Sequence, residues 1–94
     1  MPKEKLSTKR LTRVFKALAN ERRLIIIKSM TDSSKFVTDL ADKLKISVNC
    51  VSKHLQKLER ENLIAKEQKG KYAIYRVSNG FRKSGLMTQI KESE

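Results

Sequence analysis

The 94-residue chain has one cysteine, one histidine and three scattered glycines. A single cysteine excludes an internal disulfide and agrees with a reducing compartment. No metal-spaced Cys/His set, glycine-rich phosphate loop or paired-carboxylate arrangement can be drawn from so few of these residues. Ser52 and His54 stand two apart on what reads as one helix, so they point in different directions and make no catalytic pair. An enzyme is therefore not expected, nor a bound cofactor or metal. Apolar runs are short as well, and none approaches the ~18 residues needed to cross a bilayer. The opening MPKEKLSTKR lacks the apolar core of a signal peptide, so the expectation is a cytoplasmic protein with no membrane partner.

Acidic residues are the other scarcity: 10 stand against 22 lysines and arginines, for a net charge of +12. A field of that sign attracts polyanions, with nucleic acid or an anionic membrane surface the usual targets, although a solubilising surface has the same signature. The length allows one domain with one modest core, to which dimerisation would add stability.

The first eight residues are polar and basic and read as a loose arm, with residues 9–91 forming the folded domain. From Lys9 to Ala19, Leu11, Val14, Phe15 and Leu18 recur at three- and four-residue spacing, which predicts an amphipathic helix capped by Ser7 or Thr8. Asn20 is placed to cap a second helix carrying Leu24, Ile26, Ile27 and Met30; Ile25 widens its apolar face, so it should be the most buried. Thr31 to Lys35 is polar and reads as a loop. Val37, Leu40, Ala41 and Leu44 mark a short third helix. Ser47 then caps a fourth, reaching about Glu61, with Val51, Leu55 and Leu58 inward. Two short helices about three residues apart suit a helix-turn-helix.

Beyond it the period changes to two. Leu63–Lys69 and Tyr72–Val77 flank Gly70, with Ala73, Tyr75 and Val77 alternating against Tyr72, Ile74 and Arg76, a β-hairpin pattern. Leu86, Met87 and Ile90 are spaced for a short last helix, which Gly85 weakens. The predicted fold is thus mainly α with a small antiparallel hairpin: a winged helix-turn-helix.

Such a fold has a direct use, because the second helix of the pair fits the major groove, where base edges show distinguishable donors and acceptors. With Val51, Leu55 and Leu58 inward, the outward residues are Val48, Asn49, Ser52, Lys53, Gln56 and Lys57. Asn49 and Gln56 can pair with adenine, Lys53 with guanine or phosphate, and Val48 can pack on a thymine methyl. Ser47 adds a hydroxyl beside amides that favour phosphate. At the hairpin tip, Lys69 and Lys71, flanked by Lys66 and Arg76, project where phosphates of a neighbouring groove would lie. A plain reading stands beside each of these: a solvated helix face for the first set, and edge-strand protection by lysine for the second. His54, alone between the two helix faces, is expected as packed or hydrogen-bonded structure rather than a metal ligand. Cys50 is expected as a small packing residue near the turn; basic neighbours at a helix N-terminus also leave redox sensing open.

These residues resemble a known family. Phe15 to Leu24 (FKALANERRL) is similar to the opening of the arsenic-repressor-like (ArsR) regulators. Asp39-Leu40-Ala41, the stretch ISVNCVSKHLQKLERENLI and the hairpin GKYAIYRV match that family's later motifs, so that the likeness spans about residues 11–77. The resemblance implies a homodimer packed through the first and last helices, on a palindromic operator with two recognition helices in successive major grooves. It places Ser47, Asn49, Ser52, Lys53 and His54 in the DNA-reading stretch and Lys69 and Lys71 in the wing. The dimer interface it implies falls on Leu11, Val14, Phe15, Leu18, Phe81, Leu86, Met87 and Ile90. Three departures stand out. Phe36 to Leu40 holds no cysteine and the tail no histidine, so both familiar metal sites are missing. Lys45 stands where a turn glycine is usual, and Val48 where a polar residue is common.

Four functions follow as alternatives: a dimeric sequence-specific regulator without metal sensing, a winged-helix protein-interaction module, a non-specific architectural nucleic-acid binder, and a sensor acting through Cys50 or a dimer-interface pocket. The first is the leading expectation, with repression by promoter occlusion its simplest form.

Overall fold

The computed structural model describes residues 6–94. Most of the basic arm, residues 1–5, lies outside the described residues. The elements run α1 (Thr8–Leu18), α2 (Glu21–Ser29), β1 (Lys35–Phe36), α3 (Val37–Leu44), α4 (Val48–Arg60), β2 (Ile64–Lys69), β3 (Tyr72–Val77), α5 (Asn79–Arg82) and α6 (Gly85–Glu92). The first helix starts at Thr8, inside the stretch expected to be loose, because the Ser7 hydroxyl accepts from the Arg10 amide at 3.0 Å.

Short polar caps set most of the helix starts. Asn20 Oδ1 accepts from the Arg23 amide at 3.1 Å, Ser47 Oγ from Cys50 at 3.1 Å and Ser84 Oγ from Met87 at 3.2 Å. Each satisfies one amide that the helix itself leaves unpaired. Phe36, ahead of α3, has no such side chain, and there Asp39 reaches back instead, its Oδ2 accepting from the Phe36 amide at 3.2 Å. Gly85, expected to weaken the last helix, is its first residue, where a poor helix former does little harm.

The core is one cluster. Ile26, Ile27 and Met30 from α2 and its end, Leu40 from α3, and Val51, Leu55 and Leu58 from α4 are all fully buried. The helix expected to be most buried does sit at the centre, packing against α1, α3, α4 and α6, although Leu24 and Ile25 stay half-exposed. Lys28 Nζ donates to the Ser93 carbonyl and ties the end of α6 to α2. Truncating one of these side chains, Leu55→Ala for example, costs about 2–5 kcal/mol in cores of this kind.

Residues 31–35 were expected to be loop throughout, and the structure corrects this: Lys35 and Phe36 form a third strand. The antiparallel sheet has the order β1-β3-β2, with Lys35 opposite Tyr75 and Phe36 opposite Ile74. Two residues are too few for a period-two pattern. In the hairpin proper, Ile64 pairs with Val77 at the base and Lys69 with Tyr72 at the tip. Gly70, at φ +60°, opens the two-residue turn, where a first position with positive φ suits glycine.

Candidate nucleic-acid interface

The α3–turn–α4 unit presents one side of α4 to solvent. Val51, Leu55 and Leu58 are buried, and Val48, Asn49, Lys53, Gln56 and Lys57 are exposed, with Ser52 and His54 half-buried. Val48 is 46% exposed at the first turn, an apolar side chain left in water where a thymine methyl would give it cover. No side-chain hydrogen bond within the subunit engages Asn49, Ser52, Lys53, Gln56 or Lys57 among the described residues, so their donors and acceptors are available to a ligand.

The turn ahead of α4 is held by backbone geometry. Lys45 lies in the left-handed region at φ 57°, ψ 43°, and its amide and that of Ile46 both return to the Ala41 carbonyl. Asn62, at φ 60°, plays the same part after α4, where the Leu63 amide closes on the Leu58 carbonyl at 3.1 Å. Those two reversals set the lengths and directions of the recognition helix and of the strand leading to the wing.

Two arginines of α2 brace the flank of α4, and the sequence reading missed them. Arg22 Nη1 lies 3.6 Å from Cys50 Sγ. Arg23 donates to the Lys16 and Ala17 carbonyls at the end of α1 and stands 3.4 Å from His54 Nδ1. One guanidinium thus joins α1, α2 and α4. Burial first, then Arg23, Arg22 and Lys57, lowers the His54 pKa from its ordinary 6.5 and favours the neutral ring. A signal for both arginines was present: basic residues in a helix's first turn oppose its dipole and so call for partners elsewhere.

On the wing, Lys69, Gly70 and Lys71 are exposed at the tip. Cross-strand register puts Lys69 and Arg76 on one face with Phe36, Tyr72 and Ile74, and Lys66 on the other with Tyr75. Arg76 is half-buried near the hairpin base, away from the tip lysines. Phe36 and Tyr72 meet edge to face with centroids 6.1 Å apart. Lys69 also lies 3.6 Å from Glu67, an exposed pair of little energetic weight.

Of the residues expected at a dimer interface, the structure puts Val14, Leu18, Met87 and Ile90 in the subunit's own core. They are covered from within the chain because α6 folds back on α2. The apolar surface left over is Leu11, Phe15 and Leu86, with Phe81 half-buried beside them. Phe15 is 55% exposed. Two open apolar hollows flank this residue, one of about 450 Å³ against Leu18, Leu24 and Ile90, the other of about 830 Å³ against Leu11, Leu63 and Phe81.

Among the described residues, six helices, of which α3 and α4 form a helix-turn-helix with an unpaired polar face, and a three-stranded antiparallel sheet carrying a basic wing define a winged helix-turn-helix DNA-binding protein. The model of the bacterial regulatory protein arsR family matches residues 20–66, from the cap of α2 into β2. The chain is 34% identical over 76 residues to the transcriptional activator HlyU of Vibrio cholerae, covering 81% of this chain and 69% of that protein. It is 36% identical over 76 residues to the arsenical resistance operon repressor of Bacillus subtilis, covering 80% and 71%. The solved structure of the Vibrio cholerae HlyU superposes with a TM-score of 0.79 at 26% identity, over 88% of this chain and 89% of that one. A homodimeric winged helix-turn-helix DNA-binding domain from Mycobacterium bovis gives 0.80 at 26% identity, over 88% and 76%. The chain belongs to the arsR family of bacterial regulatory proteins, and is a transcriptional regulator rather than an enzyme.

Proposed function

We propose that the protein is a cytoplasmic homodimer that binds a palindromic operator and represses by occluding a promoter, without metal sensing. The observation that carries this reading is the outer face of α4. Asn49, Ser52, Lys53, Gln56 and Lys57 point away from a fully buried seam and are left without side-chain partners among the described residues. Val48 joins them as an exposed methyl pair at the helix start. Ser47 and His54 flank the face as supports: the first spends its hydroxyl on the helix cap, the second stands against Arg23. The wing lysines Lys69 and Lys71 supply phosphate contacts beside the groove, and Arg76, half-buried nearer the hairpin base, adds a further cation on the DNA side. Self-association is supported by Leu11, Phe15, Phe81 and Leu86, which form one apolar face on the first and last helical segments, and by the homodimeric Mycobacterium bovis neighbour.

The relatives are named both as activator and as repressor. Repression is the simpler mechanism, since occlusion needs DNA occupancy alone. Absence of metal control rests on the residues: the stretch from Phe36 to Leu40 carries no thiol and the tail no imidazole. The test is selection from random duplexes, followed by binding of the selected site and a scrambled control across salt concentrations. A palindromic consensus bound ~10³-fold or more tighter than the control supports the reading. Equal binding to all duplexes supports an architectural role instead, and no binding to any duplex refutes it. Transcription in vitro from a promoter overlapping the selected site then reads the direction of control.

A further inference from the structure

A second basic feature lies outside both the groove-facing residues and the wing. Where α1, α2 and α4 meet, a cleft of about 150 Å³ is lined by Arg13 and Lys16 from α1, Arg23 from α2, and Lys57, Arg60 and Glu61 at the end of α4. Helical spacing puts Arg13, Lys16 and Ala17 on one face of α1 (i, i+3, i+4), and Lys57, Arg60 and Glu61 repeat that spacing at the end of α4. Ala17 is buried, and its small side chain leaves room between the two helices. At ~30 Å³ per water, the cleft holds about five waters, a space suited to a hydrated phosphate group.

Five cations surround that space against one carboxylate. Glu61 is already engaged, with Arg13 Nε at 3.4 Å and Arg10 Nε at 3.7 Å, and its side chain is largely buried. Arg23 is fixed by the Lys16 and Ala17 carbonyls. Lys16, Lys57 and Arg60 have no carboxylate within 4 Å among the described residues. Like charges gathered this closely oppose folding, and two of the five are held in place by hydrogen bonds or ion pairs rather than left to swing apart. The cleft also continues the reading face: Lys53, Lys57 and Arg60 follow one another at i, i+4 and i+7 along α4, so the stripe that starts in the groove ends here.

We infer that this cleft binds backbone phosphates of the duplex beside the recognition helix, adding a third contact region that draws α1 into the DNA footprint. The inference rests on the proposed docking of α4 in the major groove. Phosphate contacts of this kind add affinity and fix the register without reading sequence.

The test uses the full chain with Lys16→Ala and Arg60→Ala combined. Both side chains are exposed and form no ion pair among the described residues, and neither belongs to the groove-facing or wing sets. Binding to the selected duplex and to its scrambled control is measured over a salt series for this variant and for the unaltered protein. Loss of two phosphate contacts per subunit lowers the log–log salt slope by about 1.8 per subunit, at ~0.9 per contact. It should weaken both duplexes by the same factor, leaving their ratio unchanged. An unchanged slope beside normal binding by the unaltered protein overturns the cleft and leaves the groove-facing reading intact. A collapse of the ratio between duplexes overturns it too, by making these residues readers of sequence. If the unaltered protein binds no duplex, the docking itself has failed and the inference falls with it. Inorganic phosphate is then titrated while the arginine Nε–Hε resonances are followed. Shifts confined to the unaltered protein with no change in salt slope would assign the cleft to a free anion and replace the proposal.

Discussion

Replacing Lys45 with glycine should stabilise the protein, and the size of the gain follows from one backbone angle. Lys45 ends α3 at φ 57°, ψ 43°, a conformation that costs an L-residue with a Cβ roughly 1–2 kcal/mol. Its side chain is exposed and forms no ion pair among the described residues, so its removal sacrifices no packing. Against the relieved strain stands the greater freedom of glycine in the unfolded chain, about 0.4–1 kcal/mol. At the middle of each range the difference leaves a net gain of about 0.8 kcal/mol, which for a domain of this size is a rise in Tm of roughly 3–6 °C. Urea and thermal unfolding are the assays, run at one protein concentration because a dimer's midpoint depends on it. Lys45→Val is the counterpart: a β-branched residue tolerates positive φ worst, and its midpoint should fall. Equal or lower stability for Lys45→Gly would refute the strain argument, since the αL geometry would then carry no cost that glycine can remove.

Three further outcomes are expected. Ser47→Ala removes the acceptor for the Cys50 amide and should cost about 1 kcal/mol in urea unfolding; Ser47→Asp should restore most of it. Phe15→Asp should dissociate the proposed dimer. Burying the exposed half of that ring is worth ~0.7–1.5 kcal/mol per copy, so two copies raise the dissociation constant about 10- to 100-fold, read by analytical ultracentrifugation. His54 has a folded-state pKa below its ordinary 6.5 through burial and the adjoining Arg23, Arg22 and Lys57. Its contribution to stability is therefore full above pH 6.5 and is lost as pH falls through the depressed value. His54→Asn should flatten the pH dependence of the unfolding midpoint in that range, and an unaltered profile would show that the ring does not carry it.

Much of the architecture was legible because it rests on local chemistry. Ser7, Asn20 and Ser47 cap helices through their own side chains, and the seam Val51–Leu55–Leu58 fixes which way α4 faces. What escaped depends on partners distant in sequence. β1 is two residues long and exists through its pairing with β3, 40 positions on at Lys35–Tyr75. Arg10, Arg13 and Glu61 read as ordinary surface charges until α1 is laid against the end of α4. Spacing marked Val14 and Leu18 on one helix stripe and Met87 and Ile90 on another, yet spacing alone cannot tell a face turned toward a second subunit from one turned toward the chain's own α2.

The distribution of hydrogen bonds at α4 bears on how such a helix is held ready. At its N-terminal half the bonds from other elements are made by residues on its flanks and cap: Ser47 to the Cys50 amide, Arg22 to Cys50, Arg23 to His54. The outward side chains between them make none among the described residues. On the proposed docking, stability and recognition are carried by different residues of the same helix. Substituting a groove-facing residue such as Gln56 should change DNA preference at little cost in folding, because surface changes away from caps and buried pairs usually stay within ~0.5 kcal/mol. Substituting Arg23 should do the reverse. Its guanidinium holds the end of α1 against α4, so losing it loosens the helix that reads and the helix behind it together. The pair of variants, Gln56→Ala and Arg23→Ala, separates the two roles when urea midpoints and duplex selectivity are measured side by side. Should both properties move together in Gln56→Ala, the division of labour along α4 is wrong.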